Sequence, residues 1–378
     1  MNHTYQHKIL YRERRFHAAF PGIARFSDGN LLLAFRRARD AGWLIPLEKR
    51  GSLDPFARMD HIDSRSQIVL LELDPTGQNQ VGTEDILPMD PEAGDQDASV
   101  IILPGDNLLL ASFSWYPLPA DAACYLPGRV SPGDASDYPG CRFLLWGSHS
   151  SLRGRTPGSW RHHHCYLGPD GEYQGKVIDP DGDKIITGAT RGSLLVYQDK
   201  VLLGVYGGSE SGCSLFGSPD QGRCWNYLGS IARDPAGKIR YQEPALCHNG
   251  NGGVRCFMRT AGAGGRLAVT DSPDGKHWQE PVLHDLVGHP FHPLHLSDGR
   301  LLLTYGYRQE PYGIRARLLN SPADNPDDYP EIILRDDGPC RDVGYPWSVE
   351  LSDGRVLVVY YMTDQEGLRH IAGTWLEI

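Results

Sequence analysis

Short apolar runs recur along this chain in pairs, and each pair is joined by a tight polar turn. Ile23–Phe35 reverses at Ser27-Asp28-Gly29, Val100–Phe113 at Gly105-Asp106 and Ser193–Tyr206 at Asp199. Ala245–Met258 reverses at Asn249-Gly250, Pro293–Tyr305 at Asp298-Gly299 and Ser348–Tyr360 at Asp353-Gly354. Asp-Gly and Asn-Gly between alternating apolar stretches predict hairpins, because these residues accept the positive φ of a tight reversal. The copies recur every ~50–90 residues, within or above the ~40–50 usual for propeller repeats. The pattern predicts an all-β protein, a six-bladed β-propeller with insertions of variable length.

Each hairpin supplies the two inner strands of a blade, followed by outer strands and an exposed turn. Ser218-Pro-Asp220-Gln-Gly222-Arg-Cys-Trp225 fits Ser-x-Asp-x-Gly-x-x-Trp in full, and Ser272-Pro-Asp274-Gly275-Lys-His-Trp278 fits with one residue deleted. Leu73-Asp74-Pro-Thr-Gly77 and Asn320-Ser321-Pro-Ala-Asp324 are degraded versions. Ser and Asp bond turn amides, Gly supplies positive φ and Trp packs back between strands, so these turns read as structural staples. A ring of blades must hide its sheet edges, so the first strand (Gln6–Arg12) and the last (Arg369–Ile378) are expected to pair in one blade. One domain over 1–378 is expected, with insertions near 38–62 and 118–141, long enough to be lids or walls.

Composition agrees: 44 Gly and 28 Pro among 378 residues suit a turn-rich all-β chain. A net charge of −10 argues against nucleic acid as a partner. No run reaches the ~20 apolar residues that span a bilayer, so no membrane is expected. The start, Met1-Asn-His-Thr-Tyr-Gln-His-Lys, shows no apolar stretch after its basic residues, and a cytoplasmic location is expected. Eight scattered cysteines without Cys-x-x-Cys spacing then read as mostly buried thiols.

In a propeller the innermost strands all start at one mouth of the central channel. Residues just before each first strand converge there: His17, Asp95, Asp97, Arg191, Glu243, His289, His292, Asp342 and Tyr345. The ends of the second strands add Arg36, Arg37, Tyr206, Arg259 and Arg308. Arginines that grip an anion and acid/base candidates dominate this set.

At these residues the chain resembles the sialidase (exo-α-neuraminidase) superfamily, whose Asp-box turns are similar to the staples above. The most specific piece is Tyr241-Gln-Glu243-Pro-Ala-Leu, then Phe257-Met258-Arg259, then the turn ending at Trp278. The resemblance implies that Glu243 activates the nucleophile and that Arg259 and Arg308 belong to a carboxylate clamp. Val343-Gly-Tyr345-Pro-Trp is similar to the segment carrying the family's tyrosine nucleophile, and Arg36-Arg37 to the pair after its first hairpin, with Arg37 taken for the substrate. Asp60 falls where the family places its acid/base aspartate, with Asp63 its near competitor. One departure stands out. The family's first clamp arginine opens an Arg-Ile-Pro segment, and here Ala19-Phe20-Pro21 stands in its place, leaving Arg14, Arg15 or His17 to compensate.

The resemblance implies a retaining exo-glycosidase that hydrolyses a terminal anionic sugar, sialic acid or a related ulosonic acid. An anomeric carboxylate would repel a carboxylate nucleophile, so a neutral phenol is preferable. With a pKa near ~10 the phenol needs a base beside it. Two alternatives stay open. His17 and His292, if they face the pocket, suit a lyase or glycosidase acting on uronic acid or deoxysugar glycans. A glycan-binding propeller without turnover has the same fold. No cofactor or metal is implied, because the His162-His163-His164 run lacks a supporting carboxylate or cysteine pattern.

Overall fold

The fold is drawn from a computed structural model, which describes residues 5–40, 66–87, 94–118, 133–134, 143–153, 155, 163–168, 171–173, 188–207 and 212–378. The predicted hairpins are the inner halves of six antiparallel sheets. Blade 1 runs outward through Phe16–Arg25, Leu31–Arg39, Gln67–Leu73 and Gln80–Leu87. Blade 2 has Ser99–Leu103, Asn107–Leu118, Phe143–Arg153 and His163–Gly168, with short strands at its margins. Blade 3 has Leu195–Tyr197, Lys200–Tyr206, Cys213–Ser218 and Asn226–Ala232. Blade 4 has Arg240–His248, Val254–Ala261, Arg266–Ser272 and Val282–Val287. Blade 5 has Phe291–His295, Leu301–Tyr307, Tyr312–Leu319 and Ile332–Gly338.

Blade 6 is built from both ends of the chain. Gly344–Glu350, Val356–Thr363 and Arg369–Leu376 are its inner three strands, and Tyr5–Tyr11 adds the outermost. The terminal strands pair antiparallel from Tyr5↔Leu376 to Tyr11↔Ile371. This is the closure that the exposed edges of a ring require.

The core is a set of apolar layers between facing sheets. Blades 1 and 6 meet through Leu33, Phe35, Leu357 and Trp375, and blades 4 and 5 through Phe257, Phe291, Leu303 and Tyr305. Full burial of each large side chain stabilises by about 1.5–3 kcal/mol. The outer turns fasten the blades. Ser218 Oγ accepts from the Gly222 amide at 2.7 Å, Asp220 Oδ1 accepts from the Cys224 amide at 2.8 Å, and Trp225 is fully buried. In the second copy Asp274 Oδ1 accepts from the Lys276 and His277 amides, each at 2.9 Å. Cys213, Cys247 and Cys256 are buried free thiols.

One difference from the hairpin pattern bears on the site. In blades 1, 4 and 6 the first strands begin earlier than the apolar alternation, at Phe16, Arg240 and Gly344. A bulge interrupts each of these strands and hides the preceding segment from a period-two reading.

Candidate active site

The three bulges fall at equivalent places. Pairing with the second strand jumps from Ala19 to Gly22, from Gln242 to Ala245 and from Gly344 to Trp347. Inside each jump a left-handed residue precedes a proline: Phe20 (φ 56°), Glu243 (φ 54°) and Tyr345 (φ 53°) stand before Pro21, Pro244 and Pro346. Proline bars the preceding residue from the right-handed helical region and offers no N–H to the ladder. The extra residue therefore leaves the pleat, and its side chain is re-aimed. A left-handed non-glycine residue costs about 1–2 kcal/mol, so the surroundings must hold it there.

Two of the three re-aimed side chains are joined by a hydrogen bond. The Tyr345 hydroxyl donates to Glu243 Oε1 at 2.5 Å. Arg259, on the second strand of blade 4, places Nη1 at 3.2 and 3.1 Å from the two Glu243 oxygens, and its Nη2 donates to Gln242 at 3.0 Å. Glu243 is almost wholly buried. Burial first, then the Glu243 carboxylate, push the Tyr345 phenol above its ordinary value, while Arg259 and Arg308 pull it back. The resting phenol thus keeps its proton, with an acceptor already in contact.

Arg308, at the end of blade 5's second strand, lies 5.3 Å over the Tyr345 ring. Its Nε donates to the Val343 carbonyl at 3.0 Å and its Nη2 to the Tyr361 hydroxyl at 2.7 Å. Tyr361 in turn donates to Asp342 Oδ1 at 2.8 Å. Phe20, the third re-aimed side chain, sets its ring edge-on to Tyr345 at 4.8 Å and to Tyr361 at 5.3 Å. Ala19, near the place where the resemblance would put an arginine, is buried beside it.

Below the pair lies a buried arginine–aspartate contact. Arg191 Nε is 3.7 Å from Asp97 Oδ2, and its guanidinium lies 5.3 Å from the Tyr345 ring and 5.1 Å from Trp347. Burial raises Asp97 to about 7 against the pull of Arg191, with Glu243 adding to the rise. His292 rests on Trp347 with ring centroids 4.5 Å apart, and its Nδ1 accepts from the Ser348 amide at 3.2 Å. That contact puts the proton on Nε2. Burial and then Arg191 hold His292 down at about 3, so it stays neutral. His289, half-buried, is lowered to about 4 by burial and by Arg259 and Arg308.

The sequence-derived candidates divide accordingly. Glu243, Tyr345, Arg259 and Arg308 form one cluster, and His292 stands beneath it against Trp347. Arg37 stands apart, because strand alternation splits the Arg36-Arg37 pair. Arg37 Nη1 donates to the Tyr11 hydroxyl at 3.1 Å and to Glu84 at 3.2 Å, towards the outer strands, while buried Arg36 donates from Nε to the Asp95 carbonyl at 2.8 Å. His17 is buried with Nε2 3.4 Å from Asp40. Asp60 and Asp63 lie outside the described residues, as does the side-chain placement of the histidine run at 162–164. Reasoning from strand ends brought Arg191, Asp97 and Tyr206 to the mouth without separating their roles. Phe20 was visible only as the residue before Pro21, in a place equivalent to Glu243-Pro244 and Tyr345-Pro346.

A cavity of about 850 Å³ opens among the hairpin turns at the opposite end of the ring. Its acidic residues are engaged locally: Asp106 accepts from the Ser27 amide at 2.9 Å and Glu350 from the Ser297 amide at 2.8 Å. The acid/base and cationic groups lie at the other mouth, and the chemistry is assigned there.

Residues 173–358 match the BNR repeat-like domain family. A protein of unknown function from Dyadobacter fermentans has 30% identity to the chain over 99% of both chains, with a TM-score of 0.82. The chain is a six-bladed propeller that carries the BNR repeat-like domain and is related over its whole length to the Dyadobacter protein. Its ring is similar to that of the NanB sialidase of Streptococcus pneumoniae, with a TM-score of 0.63 and 12% identity over 98% of this chain and 70% of that one. It is also similar to a Hadza microbial sialidase, with a TM-score of 0.61 and 14% identity over 95% of this chain and 65% of that one. At such identities the likeness is one of fold. No curated protein matches this sialidase-like propeller in sequence.

Proposed function

We propose that this sialidase-like propeller is a retaining exo-glycosidase acting on a terminal anionic sugar of the ulosonic acid class, with Tyr345 as nucleophile. The observation that carries the reading is the 2.5 Å hydrogen bond from the Tyr345 hydroxyl to Glu243 Oε1. Nucleophile and base within hydrogen-bond reach, with the base oriented by a third group, is the arrangement that activates a weak nucleophile. Arg259 is that third group. As the phenolic oxygen bonds to the anomeric carbon, its proton passes to Glu243, and the departing oxygen takes a proton from an acid, for which Asp60 is proposed. Water then attacks the glycosyl–tyrosine bond, giving a proton back to that acid, while Glu243 returns its proton to the phenolate. Arg259 and Arg308 set the orientation of the anionic group before reaction.

The test is hydrolysis of aryl glycosides of sialic acid, related ulosonic acids, hexuronic acids and neutral sugars. Release from an ulosonic acid is expected. Tyr345→Phe should abolish it while the thermal unfolding profile stays in place, and a Tyr345→Phe protein of undiminished turnover would remove the tyrosine mechanism.

A further inference from the structure

The bulges that re-aim Phe20 and Tyr345 each leave a main-chain carbonyl turned out of its ladder, in a buried place where an unpaired carbonyl is unfavourable. One guanidinium serves both. Arg191 Nη2 donates to the Pro21 carbonyl at 3.0 Å and to the Tyr345 carbonyl at 2.9 Å. The side chain comes from blade 3, two residues beyond the isolated bridge Ala189↔Tyr206, and reaches blades 1 and 6. Its planar face lies within 5.3 Å of the Tyr345 ring centroid and 5.1 Å of Trp347. It is 1% exposed, and Asp97 Oδ2 lies 3.7 Å from Nε. Nη1 is buried and meets no partner among the described residues.

We infer that Arg191 is the positioning residue of Tyr345: it holds the left-handed turn before Pro346 and presents the phenol to Glu243. The inference rests on the reading of Tyr345 as nucleophile for its functional meaning, though not for its geometry. The chemistry requires arginine. The guanidinium fixes both Nη2 hydrogens in its plane while its carbon lies over the Tyr345 and Trp347 rings, whereas an ammonium is a point charge on a flexible stem. Arg191 also does this without touching the phenol oxygen, so it is a support of the reacting group rather than a participant. Its position is distinct from that of Arg259, which bonds Glu243, and from that of Arg308, which bonds the Val343 carbonyl and the Tyr361 hydroxyl.

The experiment places 3-fluorotyrosine at position 345 of the full chain, and separately at Tyr197 as a control whose hydroxyl bonds Gly252 in another part of the ring. Fluorine NMR is then recorded for the parent protein and for Arg191→Met and Arg191→Lys. The Tyr345 resonance is expected to shift or split in Arg191→Met, with a smaller displacement in Arg191→Lys, while the Tyr197 resonance stays where it was. An aryl glycoside turned over by the parent should show kcat lowered by roughly a hundredfold in Arg191→Met, the scale expected when a reacting group is misplaced by about an ångström, with partial rescue in Arg191→Lys. A Tyr345 resonance unmoved in a folded Arg191→Met overturns the assignment. Should that variant not fold, an unmoved resonance in Arg191→Lys does the same. Loss of the tyrosine mechanism would instead show as full turnover by Tyr345→Phe, leaving the fluorine result to decide what Arg191 does.

Discussion

Asp97 and His292 occupy the same buried neighbourhood and respond to pH in opposite senses. Asp97, held at about 7, binds its proton more tightly folded than unfolded, so its contribution to stability falls as pH rises from about 4 to about 7. His292, held at about 3, refuses in the fold a proton that the unfolded chain accepts, so stability falls as pH drops from about 6.5 towards 3. Asp97→Asn should therefore become progressively more stable relative to the parent between pH 4 and pH 8. His292→Asn should lose less stability than the parent on acidification from pH 6.5. Urea midpoints across that range check both, and parallel curves for variant and parent would refute the assignment of these titrations.

At the scale of the element, the recurring device is the left-handed residue before proline inside a first strand. It depends on close approach between neighbouring blades. Gly192 (φ 144°) has no room for a side chain: a Cβ there would stand 2.1 Å from the carbonyl oxygen of Pro244, the residue that follows Glu243. Gly192→Ala should cost on the order of 3 kcal/mol and lower turnover through the displaced Glu243. Gly82→Ala, also at positive φ but with no atom within 4 Å, should cost only about 1 kcal/mol. Equal unfolding midpoints for the two would contradict this account.

The same elements explain how far the sequence could be read. The turns at Asp28-Gly29, Asn249-Gly250, Asp298-Gly299 and Asp353-Gly354 announce their hairpins because the chemistry is local. Glu243, Tyr345, Arg259 and Arg308 were legible because each adjoins an apolar alternation whose place in a ring follows from counting hairpins. Which member of Arg36-Arg37 could serve a ligand was not, because alternation puts the two on opposite faces of one strand and each face packs against a different neighbouring blade. The reach of Arg191 across to two other blades was invisible for a related reason: it depends on carbonyl directions that no side-chain pattern records.

For the whole molecule, the ring depends on a strand far from the site. Tyr5–Tyr11 covers the edge of Arg369–Leu376 and packs Tyr11 on Phe35 with ring centroids 4.5 Å apart. Removing residues 1–11 should lower the unfolding midpoint sharply and promote self-association through the bared edge. Urea unfolding with size-exclusion chromatography checks this, and a monomer of unchanged midpoint would refute it. The closure also has a consequence in time. A chain made from its N-terminus holds Tyr5–Tyr11 in waiting until Arg369–Leu376 has been synthesised, so these contacts have nearly the longest sequence separation the chain allows and form late and slowly. Tyr345 belongs to this last blade, whereas Glu243 belongs to blade 4, whose outermost strand ends at Val287. A nascent chain therefore carries both residues of the pair before it has a ring to hold them together, and activity should emerge only once Arg369–Leu376 is free to pair with Tyr5–Tyr11 rather than with synthesis of Tyr345.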